Sequence, residues 1–182
     1  MKNKYVLFVM GEDRPGIVAA VSGILFKDKF NIEDSSMTIL EDHFSMILIL
    51  SYQQKYQISL LKKKLQKICK ELNLFIYIKR FAPVSKTEKD YKRSKPYIIT
   101  LIGSDRIGIV HKITQLLSSK EINITDVRTE IIGEEKSPVY TMVLELEIPN
   151  TVKVSEFKSD LKKLGKELNV DITCKPITIL EL

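Results

Sequence analysis

Two nearly identical octapeptides, GEDRPGIV at residues 11–18 and GSDRIGIV at residues 103–110, carry the residues best suited to bind a ligand. Each follows a short apolar run and precedes a helical pattern, so each is predicted to be a strand-to-helix turn. The N-terminus of a helix offers free N–H groups and partial positive charge, which suit a carboxylate. The neighbouring Asp13 or Asp105 can accept hydrogen bonds from an ammonium group. Each turn therefore has the chemistry to hold an amino acid.

A purely structural turn is the alternative interpretation of the same residues. Gly11 permits a sharp turn, Asp13 is placed to cap the helix, and Pro15 suits its first turn. Gly16 leaves room for backbone or ligand to approach the helix closely. A phosphate loop fits less well, because Ile-Val follows the second glycine where Lys-Ser/Thr is required.

Residues that support catalysis or bind metals are few and scattered. His43 falls in a predicted hairpin turn and His111 on a predicted helix, and both are expected to be exposed. Neither has a cysteine or carboxylate at metal-ligand spacing. Cys69 and Cys174 are expected to be buried thiols in a reducing compartment. We therefore predict no enzyme, metal or cofactor, with an acylphosphatase-like enzyme as the alternative.

The net charge of +6 raises the question of a polyanionic partner. Much of the excess lies in the segment 82–96 and on a helical face carrying Lys62, Lys63, Lys64, Lys67 and Lys70. A solvated linker and helix face explain this charge, and the sequence has no helix-turn-helix or zinc signature. Direct nucleic-acid binding is not expected, and a ferredoxin-like nucleic-acid binder remains an alternative.

The apolar runs are too short for a membrane protein or a signal peptide. None approaches the roughly 18 residues that cross a bilayer. The N-terminal run YVLFVM leads straight into GEDR without a small-residue cleavage site. We expect a cytoplasmic protein with no membrane partner.

The octapeptides belong to a duplicated unit. They lie 92 residues apart, and Asn31-Ile32-Glu33-Asp34 corresponds to Asn123-Ile124-Thr125-Asp126 at the same offset. Later landmarks, such as Lys70-Glu-Leu-Asn73 and Lys166-Glu-Leu-Asn169, are 96 residues apart. A longer hairpin loop around GEEKSP in the second copy accounts for the slip.

Hydrophobic periodicity predicts the same six elements in each copy. Apolar runs indicate strands, and two stripes of apolar residues at helical spacing indicate amphipathic helices. The order β-α-β-β-α-β occurs twice, which defines an α+β chain of two ferredoxin-like domains in tandem. We place the first domain at residues 1–81, a polar basic linker at 82–96 and the second domain at 97–182. Apolar alternation predicts that another sheet or subunit covers the outer sheet face.

The motif D-R-P-G-I-V after a strand, followed by N-I-E-D, resembles the ACT domain, and the pattern covers both copies. The run NIEDSSMTILEDHFSMILILS and the tandem arrangement resemble the glycine cleavage system transcriptional repressor family in particular. The resemblance implies a small ligand, usually an amino acid, at interfaces between paired ACT domains. Carried onto this sequence, the implied ligand contacts are Gly11, Asp13, Gly16, Asn31, Gly103, Asp105, Gly108 and Asn123.

The predicted function is therefore a non-catalytic, amino-acid-responsive regulator. The resemblance implies repression through a protein partner, a DNA-bound activator, with glycine or serine as the effector and a homodimer as the assembly. Ser104, Ile107 and Thr125 replace residues of the first copy, so the first site is favoured. The alternative is an ACT-type interaction module that regulates a metabolic enzyme and binds neither DNA nor ligand.

Overall fold

The computed structural model describes residues 3–53, 57–82, 94–133 and 138–178, which belong to two compact units dividing at residues 84/85. The first unit contains β1 (Asn3–Glu12), α1 (Ile17–Lys27), β2 (Asn31–Leu40), β3 (His43–Tyr52), α2 (Ile58–Leu72) and β4 (Leu74–Arg80). The second contains β5 (Ser94–Gly103), α3 (Ile109–Ser119), β6 (Asn123–Ile132), β7 (Val139–Pro149), α4 (Val154–Leu168) and β8 (Val170–Pro176). The predicted α+β class and the doubled ferredoxin-like order are confirmed.

Each unit has one antiparallel four-stranded sheet with two helices on one face. The strand orders are β2-β3-β1-β4 and β6-β7-β5-β8, so the first and last strands of the motif lie side by side. The predicted apolar helix stripes meet the sheet: Val21 and Leu65 share a core with Leu7 and Leu50. In the second unit, Ile113 and Phe157 occupy the corresponding core. This burial of apolar surface is the main stabilising contribution in each unit.

The two hairpins differ in length, as the change of offset predicts. Only Glu41 and Asp42 separate β2 from β3, whereas residues 133–138 separate β6 from β7. Both β2 and β6 carry a bulge at matching positions, between Ile32 and Asp34 and between Ile124 and Asp126. Residues 134–137 of the longer connection lie outside the described residues.

The linker expected at 82–96 coincides largely with residues 83–93, which lie outside the described part of the chain. Strand β5 begins at Ser94, so residues 94–96 of the expected linker pair with β7 instead. Pro96 is tolerated in this strand because proline removes a single ladder donor near the beginning of the strand.

The outer faces of the two sheets differ in chemistry. On the first sheet, the residues that alternate with the core are mainly apolar: Phe8, Met10, Ile47, Ile49, Phe75 and Tyr77. On the second sheet, the corresponding positions are mixed: Ile102 and Val143 are apolar, whereas Thr100, Glu145, Asp171 and Thr173 are polar. The expectation of an apolar outer face is confirmed for the first sheet and holds only in part for the second. The polar side chains of the second face can remain solvated.

Candidate ligand-binding turns

The first octapeptide forms the predicted turn between β1 and α1, but its capping residue differs from the prediction. The N-cap is Gly16, at φ 98°, and no side chain caps the helix. Asp13 is exposed, and its backbone N–H donates a 2.8 Å hydrogen bond to the Asp42 carbonyl. The predicted cap by Asp13 is therefore wrong, and Pro15 precedes the cap. A left-handed glycine takes the chain directly into the helix, so the Asp13 carboxylate remains available.

The two glycines of the turn are required for different reasons. A Cβ on Gly16 would meet nothing within 4 Å, so the positive φ alone demands glycine there. Gly11 lies inside β1, where a Cβ would come within 2.7 Å of the Leu74 side chain and 3.0 Å of the Asn73 carbonyl. Gly11 thus serves the close packing of β1 against the start of β4, rather than the sharp turn predicted for it.

The second octapeptide repeats this geometry. Gly108 is the N-cap of α3 at φ 95°, again without a side-chain cap. A Cβ on Gly103 would lie 2.6 Å from the Val170 side chain, so this glycine also serves packing. Asp105 is exposed, and its charge acts on Tyr140. Burial raises the pKa of Tyr140, a hydrogen bond with Thr129 opposes the rise, and Asp105 adds to it.

Backbone donors are available at the start of α1. The first helical hydrogen bond runs from the Ala20 N–H to the Gly16 carbonyl, at 2.8 Å. The N–H groups of Ile17, Val18 and Ala19 have no acceptor among the residues that the structure describes. In the second unit, the Ile109 N–H makes a long 3.5 Å contact with the Arg106 carbonyl. Such uncapped donors favour an anionic group.

The arginine of each octapeptide was missed as a candidate. Arg14 Nη2 donates to Glu12 Oε2 at 2.9 Å. Ser104 stands at the position of Glu12 in the second copy, and Arg106 has no ion-pair partner within the described ranges. Arg106 is therefore free to bind a carboxylate. The signal was present in the sequence, since the arginine is among the residues shared by both octapeptides.

The asparagines lie far from the turns of their own units. Asn31 pairs with Ser51, which pairs with Lys4, whereas Gly11 lies seven residues further along β1. At about 3.3 Å per residue, the two ends are roughly 23 Å apart. Asn123 and Gly103 are separated in the same way, through Glu147 and Pro96. Neither unit by itself brings its turn and its asparagine together.

Strand β2 is an edge strand whose ten residues are all exposed. Its outer N–H and C=O groups lack a strand partner in the first unit, and β6 has the same edge position in the second. Exposed edges of this length readily pair with another strand.

The remaining candidate residues show no catalytic arrangement. His43 and His111 are both exposed, as predicted. Cys69 and Cys174 are free and partly exposed, so the prediction that both thiols are buried is wrong. No group of three potential metal ligands occurs among the described residues. Within the same ranges, no helix is both long and apolar enough to cross a bilayer.

The fold and the repeated turn define a class of protein. The ACT domain profile matches residues 4–79 and 95–175, and the chain belongs to the ACT-domain family. Over 74 residues, the chain is 38% identical to a UPF0237 protein of Methanopyrus kandleri, covering 40% of this chain and 82% of that protein. A UPF0237 protein of Streptococcus pneumoniae is 34% identical over 79 residues, covering 43% and 90%.

Solved structures match both units together. An unknown protein from Galdieria sulphuraria has a TM-score of 0.82 at 26% identity, covering 98% of this chain and 100% of that one. A protein named for a glycine cleavage system transcriptional repressor has a TM-score of 0.71 at 17% identity, covering 98% and 99%. At that identity, the second match shows the tandem fold alone.

Proposed function

We propose that this chain is a non-catalytic regulator that binds an amino acid in the cytoplasm and transmits its presence to a protein partner. The observation that carries the proposal is the uncapped helix N-terminus beside an exposed aspartate, which occurs in both copies. The N–H groups of Ile17 and Val18 suit the ligand's carboxylate. The carboxylate of Asp13 suits its ammonium group.

The effector site is proposed to form between subunits of a homodimer. A symmetric pairing of two β2 edges about a two-fold axis normal to the sheet is antiparallel. In each subunit, the octapeptide turn lies at the same end of the sheet as the end of β2. Antiparallel pairing of the two β2 strands therefore brings the start of β2 in one subunit to the turn-bearing end of the partner's sheet. Asn31 of one subunit would thereby join the Asp13 turn of the other. The ligand would strengthen the dimer by contacting both subunits.

Regulation of transcription is the role that the sequence resemblance supports. The stretch NIEDSSMTILEDHFSMILILS and the tandem arrangement favour a repressor of glycine or one-carbon metabolism that acts on a DNA-bound activator. Glycine or serine is the proposed effector. The regulatory signal requires that the partner bind the liganded and free states with different affinities.

Asp13→Ala tests the ligand chemistry. A thermal-shift screen of the twenty amino acids identifies the effector, and calorimetry then measures its affinity in wild type and variant. Loss of a charge-assisted hydrogen bond should weaken binding by roughly tenfold or more. Glu71→Ala removes an exposed carboxylate of α2 and should leave the affinity unchanged. Equal affinity in wild type and Asp13→Ala would overturn the assignment.

An interaction module without an effector is the second candidate function. The apolar outer face of the first sheet favours it, because Phe75 is 61% exposed and Tyr77 is 52% exposed. A folded protein that is stabilised by none of the twenty amino acids, and that still binds a protein partner, would establish this function instead.

A further inference from the structure

Helix α4 carries its acidic residues on one side and a set of unpaired lysines on another. Its three acidic residues pair with lysines on one side: Lys153 Nζ lies 3.0 Å from Glu156 Oε1, and Lys120 Nζ lies 2.7 Å from Asp160 Oδ2. Glu167 pairs with Lys112 of α3. Three further lysines of α4 have no carboxylate partner among the described residues: Lys158, Lys162 and Lys166.

These three unpaired lysines form a single row. They occur at i, i+4 and i+8, so they lie on one side of the helix about 6 Å apart along its axis. Like charges at i, i+4 destabilise a helix. The row therefore opposes helix formation in the absence of an anion.

The row lines an open groove of about 620 Å³ between α4 and the start of β8. Its walls are partly apolar, from Ile102, Leu161 and Ile172, and its polar lining includes Ser104 and Asn169. Gly165 brings the helix close to the strand, since a Cβ there would lie 2.8 Å from the Val170 carbonyl. Asp171 is the one carboxylate among the lining residues, against three ammonium groups.

Cys174 lies at the far end of the same groove. Burial raises the pKa of its thiol, and the charge of Lys158 opposes that rise. The charge of Lys158 therefore reaches the Cys174 thiol, in agreement with both residues lining the groove.

In the described part of the first unit, the equivalent position holds a smaller cavity. Lys62 and Lys70 correspond to Lys158 and Lys166, but Gln66 replaces the central lysine and Cys69 replaces Gly165. The cavity at Lys62 and Gln66 is only about 190 Å³ and is lined by the bulky Tyr77. Because the two copies share a fold, the difference in cavity size and charge comes from their side chains.

We propose that this groove binds a small organic phosphate carrying at least two adjacent anionic groups, such as a diphosphate ester. The ammonium groups of Lys158, Lys162 and Lys166 would bind the phosphate oxygens as successive point charges. The apolar walls at Ile102 and Ile172 would contact the organic part of the ligand. The groove borders the second octapeptide through Gly103 and Ser104, but it does not include the first octapeptide turn, where the amino-acid effector is proposed to bind.

Calorimetric titration of the full chain with inorganic pyrophosphate and with ADP tests the proposal. Both should bind, ADP more tightly because of its organic part, and both should weaken as salt is raised. Lys162→Gln should reduce affinity for pyrophosphate by roughly tenfold. Two control variants should leave the affinity for pyrophosphate unchanged. Lys62→Gln changes the corresponding lysine of α2 in the first unit. Lys163→Gln changes a lysine of α4 that lies outside the row, 3.7 Å from Asp160. Thermal unfolding of each variant checks that the fold is kept.

Three outcomes would overturn the proposal. They are no binding of either probe, equal losses in Lys162→Gln and Lys163→Gln, and tighter binding of a single-stranded oligonucleotide than of ADP through the same lysines. The last would assign the row to nucleic acid instead.

Thiol protection supplies a second readout. In a Cys69→Ser background, ADP should slow alkylation of Cys174 by iodoacetamide, and Lys162→Gln should raise the ADP concentration needed for that protection. An alkylation rate that ADP does not change would place the ligand outside the groove and contradict the proposal.

Discussion

At the scale of single residues, the octapeptide contains residues with structural roles and a residue that is available to a ligand. Gly11 is fixed by packing against Leu74, and Gly16 is fixed by its positive φ. Asp13 has neither role, because it is exposed and does not cap the helix. The residue left without a structural duty is therefore the one best placed to meet a ligand.

Gly16→Ala should destabilise the protein by about 1 kcal/mol, because an alanine at positive φ is strained even where space is open. Gly23→Ala is the matched control in the interior of α1, where a Cβ also meets nothing within 4 Å. It should stabilise by about 0.5–1 kcal/mol through helix propensity. Urea unfolding measures both changes. A neutral Gly16→Ala would show that φ does not demand the glycine.

The sequence predicted the turn but not its details. Six shared positions in two copies identified Asp13 and Gly16, because duplicated spacing is visible without coordinates. The choice between Asp13 and Gly16 as cap was not visible, since both residue types cap helices. The sequence also could not predict the distance between Asn31 and Gly11. That distance depends on the register of two strand pairings, β2 with β3 and β3 with β1.

At the scale of elements, hydrophobic periodicity predicted the helices and strands, but it did not predict how charges are distributed over their exposed surfaces. Apolar residues at helical spacing predicted an amphipathic α2, and the structure buries Leu61, Leu65 and Ile68 along one side of it. The charge sorting on α4 was not predicted, because it depends on which neighbours Asp160 and Glu167 meet across the helix pair.

The Lys120–Asp160 contact joins the end of α3 to α4 and should make stability depend on pH. The hydrogen bond from Lys120 lowers the pKa of Asp160, and the charge of Lys163 acts in the same direction. A lowered carboxyl pKa adds stability above its ordinary value of 3.8, and that contribution is lost as the pH falls through the folded-state pKa.

Asp160→Asn should therefore lower the melting temperature at neutral pH and leave it unchanged in strong acid. Thermal unfolding of wild type and variant from pH 7 downward measures this difference. A gap between the two melting temperatures that persists unchanged into strong acid, below the lowered pKa of Asp160, would contradict the assigned cause.

The outer face of the first sheet should bind apolar probes. Phe75→Asp with Tyr77→Thr installs the residues of the second unit, Asp171 and Thr173, at the same strand positions. The double variant should lower the fluorescence of the apolar dye ANS, because exposed apolar surface is removed. Phe26→Asp, which removes an 82% exposed aromatic from α1, should have a smaller effect. Equal reductions in the two variants would show that the face is not a continuous patch.

At the scale of the whole molecule, duplication supplied two copies that have since diverged in surface chemistry. The turns and asparagines are kept in both, whereas the outer sheet face and the α4 groove differ between them. The family and the tandem order could be predicted from the sequence because they depend on repeated local patterns. The partner of each exposed surface could not, because it depends on other molecules.

The central claim is that the effector site is shared between subunits, and mixing two weakened variants tests it most directly. Asp13→Ala and Asn31→Ala should each weaken amino-acid binding at the first-copy site by roughly tenfold or more while remaining folded. After unfolding and refolding together in equal amounts, random pairing gives half mixed dimers, each with one intact site. Calorimetry should then recover about one quarter of the wild-type sites at wild-type affinity. No recovery in the refolded mixture would contradict a site built from Asp13 of one subunit and Asn31 of the other.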